Sequence, residues 1–298
     1  MNKSSLKPFL QLIDVGFTAP GLNGNTFPII KNVSLQVGKG EGVSIIGRNG
    51  SGKTTLSRLL CGLLDASAGD ILIEGRRIEE LKKRGELQKT IGYLFSDPEN
   101  QIVYPVVEDD VAFGPTNLGF PPIEVKKRVA ESLKTVGLEG YEKKEVSILS
   151  SGEMKKVALA GILAMGPLAI VLDEPFLMLD PRGVVEMAGI LKRLRNTGIT
   201  LVSTMSSLEE AGYSDRVFIL NKGEVILDGE LKDILSERGI IEEAGLNLPR
   251  ITQLICLLRE KGLNIPVDIL DIEDISEFIL GQSKTRPLGG YQKENNFL

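Results

Sequence analysis

Several residue types are missing or rare in this sequence, and each absence excludes a class of function. There is no histidine and no tryptophan among 298 residues, and the two cysteines, Cys61 and Cys256, are too far apart to show a metal-ligand spacing. A zinc or iron–sulfur site is therefore not predicted, and the cysteines are interpreted as buried thiols of a reducing compartment. The net charge of −5 gives no indication of nucleic-acid binding. No apolar run reaches the roughly 18 residues that a membrane span requires, and the N-terminus shows no apolar signal-peptide segment.

Apolar segments of strand type and helix type alternate along the chain. The 42% hydrophobic and 25% charged residues are typical of a globular protein, and the length allows one large domain or two ordinary ones. Strands are predicted in the first part, a mostly helical pattern at about 97–165, and strands again from 168. A Gly/Pro/Asn-rich loop is predicted over 20–28 and a capped amphipathic helix over 248–258. This alternation predicts an α/β fold with a mostly parallel sheet and helices on its faces.

One stretch predicts a phosphate-binding loop, or P-loop. It fits G-x-x-x-x-G-K-[ST] and lies between an apolar strand-like run and a helix-like run. Its glycines allow backbone N–H groups to surround phosphates, and the helix N-terminus adds free donors and a favourable dipole. The ammonium of Lys53 can reach the β- and γ-phosphates of a nucleoside triphosphate, and the hydroxyl of Thr54 can ligate Mg²⁺. The predicted nucleotide-binding residues here are Gly47, Arg48, Asn49, Gly50, Ser51, Gly52, Lys53, Thr54 and Thr55.

A second element of the same chemistry stands at the end of an apolar strand. The run Ala169 to Leu172 is followed by Asp173 and Glu174. Asp173, at the strand tip, is predicted to hold Mg²⁺ together with Thr54. Glu174 is predicted to be the catalytic residue that orients an attacking water or accepts its proton. The alternative is an acid pair that caps the following helix.

A serine- and glycine-containing helix start is the third candidate element. The segment Leu149-Ser150-Ser151-Gly152-Glu153 precedes a helical run, and such a helix N-terminus can bind an anion. The same letters also fit an ordinary capping box, in which the serine and the glutamate satisfy each other's backbone groups. The segment by itself does not separate these two interpretations. Ser150 and Gly152 are its predicted nucleotide contacts.

Taken in this order, the motifs resemble the nucleotide-binding domain of ATP-binding cassette (ABC) proteins. Leu149 to Glu153 resembles the signature motif of that family, Asp173-Glu174 its Walker B acid pair, and Leu179-Asp180 its D-loop. The resemblance implies a P-loop NTPase (RecA-like) core with an antiparallel β subdomain, an inserted helical subdomain and a helical C-terminal extension. It also implies a head-to-tail dimer with ATP and Mg²⁺ as cofactors. Each ATP would lie between one chain's P-loop and the other chain's signature helix.

The expected domain boundaries follow from the same resemblance. Residues 1–229 are expected to form the nucleotide-binding domain, with the helical subdomain inserted at about 97–165. Residues 230–282 are expected to form a helical extension that is a candidate for dimerisation. The polar residues 283–298 are expected to be a flexible tail.

A narrower resemblance concerns the start of the helical subdomain. Asp97 to Gln101 and Val107 to Gly114 resemble the ATPase subunits of energy-coupling factor transporters, which import vitamins or transition-metal ions. The resemblance implies a second ATPase subunit, a transmembrane coupling subunit that docks on the 97–119 region, and an indirectly attached substrate-binding membrane subunit. It places the chain peripherally on the cytoplasmic face of the cell membrane, with no nucleic acid as partner. A surface amphipathic helix is the alternative interpretation of this segment.

The sequence departs from the family pattern at positions expected near the γ-phosphate. Ser96 stands where the family usually has a glutamine that helps to ligate Mg²⁺. Ser206 stands where it has a histidine that holds the γ-phosphate and orients Glu174. Ala19 stands in place of the aromatic residue that stacks on adenine, with Phe17 as a nearby candidate to compensate. Losing a positioned γ-phosphate donor typically lowers the rate by roughly 10²–10³, so we expect this chain's own site to bind ATP but to hydrolyse it slowly.

These departures leave two arrangements open. The favoured one is a heterodimer, in which this chain's signature helix completes a competent site on an intact partner. The main function expected is that of an ATP-hydrolysing importer subunit that powers uptake, and a nearly inactive, regulatory half of a heterodimer is the alternative. The alternative is a homodimer whose sites work slowly around Glu174. A cassette protein outside transport is disfavoured, since such proteins usually fuse two cassettes or carry long coiled coils. The sequence does not name the transported substrate, because a separate subunit selects it in this family.

Overall fold

The computed structural model describes residues 8–21, 25–263, 265, 275, 276 and 278 of the chain. In this part of the chain the strands are β1 (Leu10–Pro20), β2 (Thr26–Val37), β3 (Gly42–Ile46), β4 (Ala68–Ile73), β5 (Arg76–Arg77), β6 (Ile91–Leu94), β7 (Ala169–Asp173), β8 (Thr200–Met205), β9 (Arg216–Asn221) and β10 (Glu224–Gly229). The α-helices are α1 (Lys53–Leu60), α2 (Ile78–Arg84), α3 (Leu87–Thr90), α4 (Val107–Asn117), α5 (Pro122–Thr135), α6 (Ser151–Met165), α7 (Pro181–Asn196), α8 (Leu231–Ser236), α9 (Arg238–Glu243) and α10 (Arg250–Glu260).

The strands form two sheets. A four-stranded antiparallel sheet has the order β2-β1-β4-β5, and a six-stranded sheet has the order β10-β9-β3-β8-β7-β6. In the larger sheet β9, β3, β8, β7 and β6 run parallel, and β10 pairs antiparallel with β9 at one edge. Every residue of β3, β7 and β8 is buried. Their nearly continuous apolar sequences suit strands that are covered on both faces.

Each face of the parallel sheet contributes to a different hydrophobic core. Ile45 and Val171 face the core that the sheet forms with α1 and the antiparallel sheet. Their neighbours Ile46 and Leu172 face the core formed with α4 to α7, because successive side chains of a strand point to opposite sides. The carboxyl ends of the parallel strands meet at one edge of the sheet, between these two cores.

The helices α4, α5 and α6 form the insertion between β6 and β7 that the sequence predicts. Val107 and Val111 are fully buried and lie four residues apart, which places them on one face of α4. They pack in one core with residues of α5 and α6. The expected fold class is confirmed: an α/β core with a mostly parallel sheet, an antiparallel β subdomain and an inserted helical subdomain.

Two local predictions were wrong. The loop predicted over 20–28 is shorter, since β1 extends to Pro20 and β2 begins at Thr26. The two-stranded pairing overrides the local turn signals, and Pro28 is tolerated because β2 is an edge strand. The helix predicted over 248–258 begins only at Arg250 and has no side-chain cap. Pro249 occupies the capping position and offers no side-chain acceptor.

The C-terminal extension begins as part of the main core. Leu231, Ile241 and Leu248 belong to the same buried cluster as the parallel sheet and the helical subdomain. Ile255, in α10, belongs instead to a small separate cluster. The predicted tail 283–298 and most of residues 264–282 lie outside the described residues. Within the described part of the chain, no helix is both long and apolar enough to cross a membrane.

Candidate nucleotide-binding site

The P-loop lies at the carboxyl end of β3, in the middle of the parallel sheet. It connects Ile46 of β3 to α1, which begins at Lys53. Gly50 and Gly52 have φ angles of 83° and 105°, a region that residues with a Cβ rarely adopt. Gly52 is also held against the backbone, since an added Cβ would lie 3.1 Å from the Ile29 carbonyl oxygen. The turn therefore depends on glycine at these positions.

Two polar side chains of this loop are buried, and one of them has no hydrogen-bond partner among the described residues. The ammonium of Lys53 is buried and donates hydrogen bonds to the carbonyl oxygens of Gly47, at 2.8 Å, and Arg48, at 3.3 Å. The hydroxyl of Ser51 is buried and has no hydrogen-bond partner among the described residues. A buried donor without an acceptor is rare in proteins, and an anion in the loop would satisfy it. The loop thus fits a phosphate group.

Asp173 ends β7 beside the start of α1. Its carboxylate is 1% exposed and accepts hydrogen bonds from the hydroxyls of Thr54, at 3.2 Å, and Thr204, at 2.7 Å. The hydroxyl of Tyr93 donates to the other carboxylate oxygen at 3.3 Å. The structure thus brings Thr54 and Asp173 together. Because Mg²⁺ prefers oxygen ligands and retains several waters, this hydroxyl and carboxylate fit the protein's share of a magnesium site.

Glu174 follows in a left-handed backbone conformation, with a φ of 49°. One carboxylate oxygen lies 3.3 Å from the ammonium of Lys53. The other accepts a hydrogen bond of 3.1 Å from the hydroxyl of Ser206. The structure therefore places three sequence-selected residues in direct contact, and Ser206 holds Glu174 at the position where the family pattern has histidine.

Two titratable groups near this carboxylate have shifted pKa values. Burial, together with the nearby charges of Glu174 and Glu209, raises the pKa of Glu210 to about 7. Burial lowers the pKa of Lys155 to about 8. The sequence did not predict a shifted pKa for either residue. Tyr93 and Thr204, which both contact Asp173, were also missed, since a strand residue carries no local sign of what lies across the sheet.

The signature segment lies apart from the P-loop. Ser150 caps α6 and forms a capping box with Glu153, whose side chain also accepts a hydrogen bond of 2.7 Å from Tyr141. The start of α6 lines a groove of about 580 Å³ opposite residues 178–187, and none of the described residues that line it belongs to the P-loop. Ser150 and Gly152 therefore do not face this chain's own phosphate loop. The capping role is realised, since the hydroxyl of Ser150 donates to the Glu153 carboxylate at 2.8 Å and accepts from the Glu153 backbone N–H at 3.3 Å.

An exposed aromatic residue lies next to Ala19, the position at which the family pattern has an adenine-stacking ring. Ala19 of β1 pairs directly with Phe27 of β2, whose side chain is 56% exposed. Two residues further along β2, a methyl group of Ile29 lies beside Gly52 of the P-loop. Phe17 is half-buried and packs against the core instead.

The 97–119 segment presents a partly apolar surface. Asp110 is buried, and its carboxylate accepts hydrogen bonds from the backbone N–H groups of Val103, at 2.7 Å, and Tyr104, at 3.1 Å. Val103 is 61% exposed, and the exposed rings of Tyr104 and Phe113 lie 5.7 Å apart. Asp110 thus fixes the backbone of two residues whose side chains, with Phe113, form an exposed and partly apolar cluster.

Comparisons with known proteins agree with this geometry. The family model described as "ABC transporter" matches residues 30–177. The chain is 43% identical to the energy-coupling factor transporter ATP-binding protein EcfA1 of Caldanaerobacter subterraneus over 253 residues, which is 85% of this chain and 91% of that protein. It is also 43% identical to EcfA of Methanocaldococcus jannaschii, over 80% of this chain and 86% of that protein.

Solved structures give the same result. CbiO1 of Clostridium perfringens, described as part of an ABC transporter complex, matches with a TM-score of 0.71 and 35% identity over 83% of this chain and 98% of that chain. A dimeric ATP-binding cassette in a post-hydrolysis state, bound to ADP and Pi, matches with a TM-score of 0.67 and 28% identity over 74% of this chain and 98% of that chain.

Proposed function

The chain belongs to the ATP-binding proteins of energy-coupling factor transporters, within the ABC transporter family, and we propose that it binds and hydrolyses ATP to power uptake through a membrane partner. The transported class would be a vitamin or a transition-metal ion, and the chain would sit peripherally on the cytoplasmic face of the membrane. The proposal rests on one observation: two residues at the start of α1 contact the two acidic residues at the end of β7. Thr54 contacts Asp173, and Lys53 contacts Glu174.

Each residue of this site is assigned a role from its position. Gly47 to Thr55 would hold the phosphates of ATP, with the free hydroxyl of Ser51 as one donor. Lys53 would exchange its bonds to two loop carbonyls for bonds to phosphate oxygens. Thr54 and Asp173 would hold Mg²⁺, which when bound neutralises phosphate charge. Glu174 would orient the attacking water and accept its proton.

The adenine end of the nucleotide is assigned to Phe27. Phe27 is exposed and pairs with Ala19, and β2 reaches Gly52 of the P-loop two residues further on, at Ile29. A stacked aromatic ring contributes on the order of 1 kcal/mol. In this proposal Phe27, rather than Phe17, replaces the missing aromatic residue.

The signature helix would act on a different subunit. Ser150 and Gly152 open onto their own groove, away from the P-loop of the same chain. A head-to-tail partner would present its nucleotide to this groove, in a dimer such as the one that the similar cassette forms. Residues 1–229 would form the nucleotide-binding domain, with the subdomain at about 97–165 inserted, and 230–282 a helical extension that is a candidate for dimerisation.

The partners follow from the surfaces of the chain. A transmembrane coupling subunit would dock on the 97–119 segment, over Val103 and Phe113, and connect the chain indirectly to a substrate-binding membrane subunit. A second ATPase subunit would complete the nucleotide sites, and we favour a heterodimer. No nucleic-acid partner is proposed.

A second candidate function is favoured by a specific observation. The full chain has no histidine, and Ser206 and Ser96 stand at the two positions expected near the γ-phosphate. Serine is short, so it reaches Glu174 but not readily a phosphate beyond it. The chain would then be a nearly inactive half that binds ATP at its own P-loop and assists hydrolysis on its partner.

The test compares hydrolysis by the purified full chain with that of its Glu174→Gln variant. We expect both proteins to bind a fluorescent ATP analogue. The unchanged chain should hydrolyse ATP, although slowly, and the variant should not hydrolyse it. Absence of nucleotide binding, or hydrolysis that Glu174→Gln leaves unchanged, would contradict the main proposal. Fast, Glu174-dependent turnover by a homodimer would contradict the second candidate.

A mixed complex tests the signature helix separately. In a complex of this chain with an intact ATPase subunit, Ser150→Arg is expected to lower the partner's hydrolysis, since the arginine would block the groove. The same substitution should leave nucleotide binding by this chain's own P-loop unchanged. Equal hydrolysis with and without the substitution would argue against the shared site.

A further inference from the structure

Lys155 is a buried cation that none of the proposed roles uses. It lies in the second turn of α6 and is 1% exposed. Its ammonium donates hydrogen bonds to the carbonyl oxygens of Leu177, at 2.8 Å, and Glu174, at 3.2 Å. A buried charge persists only where partners compensate its lost hydration. Here the partners are backbone carbonyls of the segment that carries the proposed catalytic residue.

The segment that Lys155 holds is conformationally strained. Glu174 and Met178, neither of them glycine, have positive φ angles of 49° and 64°. Such conformations persist when surrounding contacts hold them, and they cluster at functional sites. A second residue of α6 contributes, because the hydroxyl of Ser151 donates to the Met178 carbonyl oxygen at 3.1 Å. The turn 174–178 is thus attached to α6 at both ends.

We propose that Lys155 is a positioning residue that fixes the Glu174 turn and couples it to the signature helix of the same chain. The inference rests on the proposed function, in which Ser150 at the start of α6 faces the partner's nucleotide and Glu174 faces this chain's own. Movement of α6 on the partner's nucleotide would reach Glu174 through the hydrogen bonds of Lys155. The two nucleotide sites of a dimer would thereby be linked within one chain.

The charges around Lys155 add a pH signature. Carboxyl groups of Asp97, Asp173, Glu174 and Glu210 face it and favour its charged form, whereas burial opposes that form more strongly and lowers its pKa to about 8. Lys155 therefore loses its positive charge as the pH rises through about 8. Because the raised pKa of Glu210, about 7, lies close to that of Lys155, the alkaline limb of the rate is assigned to Lys155 by its loss in the Lys155 variants.

The test measures single-turnover ATP hydrolysis by the full chain, in excess over ATP, together with the Kd for a fluorescent ATP analogue. Lys155→Met is expected to lower the rate constant about tenfold or more while the Kd changes less than about twofold, since the lysine touches the Glu174 turn and not the P-loop. Lys155→Gln retains one donor, so it should restore part of the rate. We expect the rate of the unchanged chain to decline above pH 8, and both substitutions should remove this decline because they remove the titrating ammonium.

Arg128→Met is the matched control. Arg128 also donates from a side-chain cation to a carbonyl oxygen of α6, that of Ala164 at 3.2 Å, but at the far end of the helix. The Arg128→Met substitution should leave both the rate constant and its pH profile unchanged. Unchanged hydrolysis in Lys155→Met, parallel losses of rate and affinity, or unfolding of both Lys155 variants would overturn the positioning role. Failure of the unchanged chain to bind ATP would instead contradict the proposed function.

Discussion

Restoring the two missing γ-phosphate contacts should accelerate hydrolysis at this chain's own P-loop. The perturbation is the double substitution Ser96→Gln and Ser206→His. Ser206 already donates a hydrogen bond of 3.1 Å to Glu174, so the carboxylate is partly oriented in the unchanged chain. What serine cannot supply is a second donor that reaches past Glu174 to the phosphate, whereas a protonated imidazole has two N–H donors on opposite sides of its ring.

The expected gain in rate depends on which contacts the unchanged chain already has and which it lacks. One positioned donor toward developing charge contributes roughly 10²–10³ in rate. Because the orienting bond to Glu174 exists already, we expect the lower end, a gain of about 100-fold in the single-turnover rate constant. The Kd for ATP should change little, since Lys53 and the glycines of the P-loop are untouched.

The assay uses radiolabelled ATP with the full chain in excess, which detects slow hydrolysis by a single site. Ser207→His is the matched control, because it adds an imidazole at the neighbouring position, whose serine bonds the backbone N–H of Glu209 and not Glu174. Adding Glu174→Gln to the double variant should abolish the gain. If the double variant folds, binds ATP normally and hydrolyses it no faster, the missing contacts are not what limits this site.

Three further outcomes are expected. Phe27→Ala should raise the Kd for ATP about fivefold, the loss of about 1 kcal/mol of stacking, whereas an unchanged Kd in a fluorescence titration would remove Phe27 from the adenine site. Glu210 has a pKa raised from 4.5 to about 7, so the folded state binds an extra proton between these values and stability falls as the pH rises through them. Glu210→Gln should flatten that dependence, worth about 1–2 kcal/mol after solvent screening of a partly exposed group, in urea unfolding at pH 5 and pH 8. Glu209→Gln should reduce it less, since it removes only one of the causes of the raised pKa. Asp110→Ala should release the backbone of Val103 and Tyr104 and weaken co-purification with the membrane coupling subunit while ATP binding is retained; unchanged co-purification would place the docking surface elsewhere.

Sequence alone predicted the parts of this protein whose chemistry is local. The P-loop is contiguous in the chain, so the spacing of its glycines, Lys53 and Thr54 is enough to predict it. The fold class was predictable for a related reason, because strands buried on both faces and amphipathic helices differ in their apolar periodicity. The boundaries of β1 and β2 were missed, since strand pairing overrides the turn propensity of glycine and proline.

What only the tertiary structure decided are the contacts between distant segments. Nothing in the local sequence indicates that Lys155, in the signature helix, bonds the carbonyl of Glu174, or that Phe27 faces Ala19 across two strands. Packing brings these segments together, and the burial and nearby charges that result shift the pKa values of Lys155 and Glu210. The amino-acid sequence therefore determined that this chain carries a nucleotide site, and packing decided which further residues hold Glu174 in place.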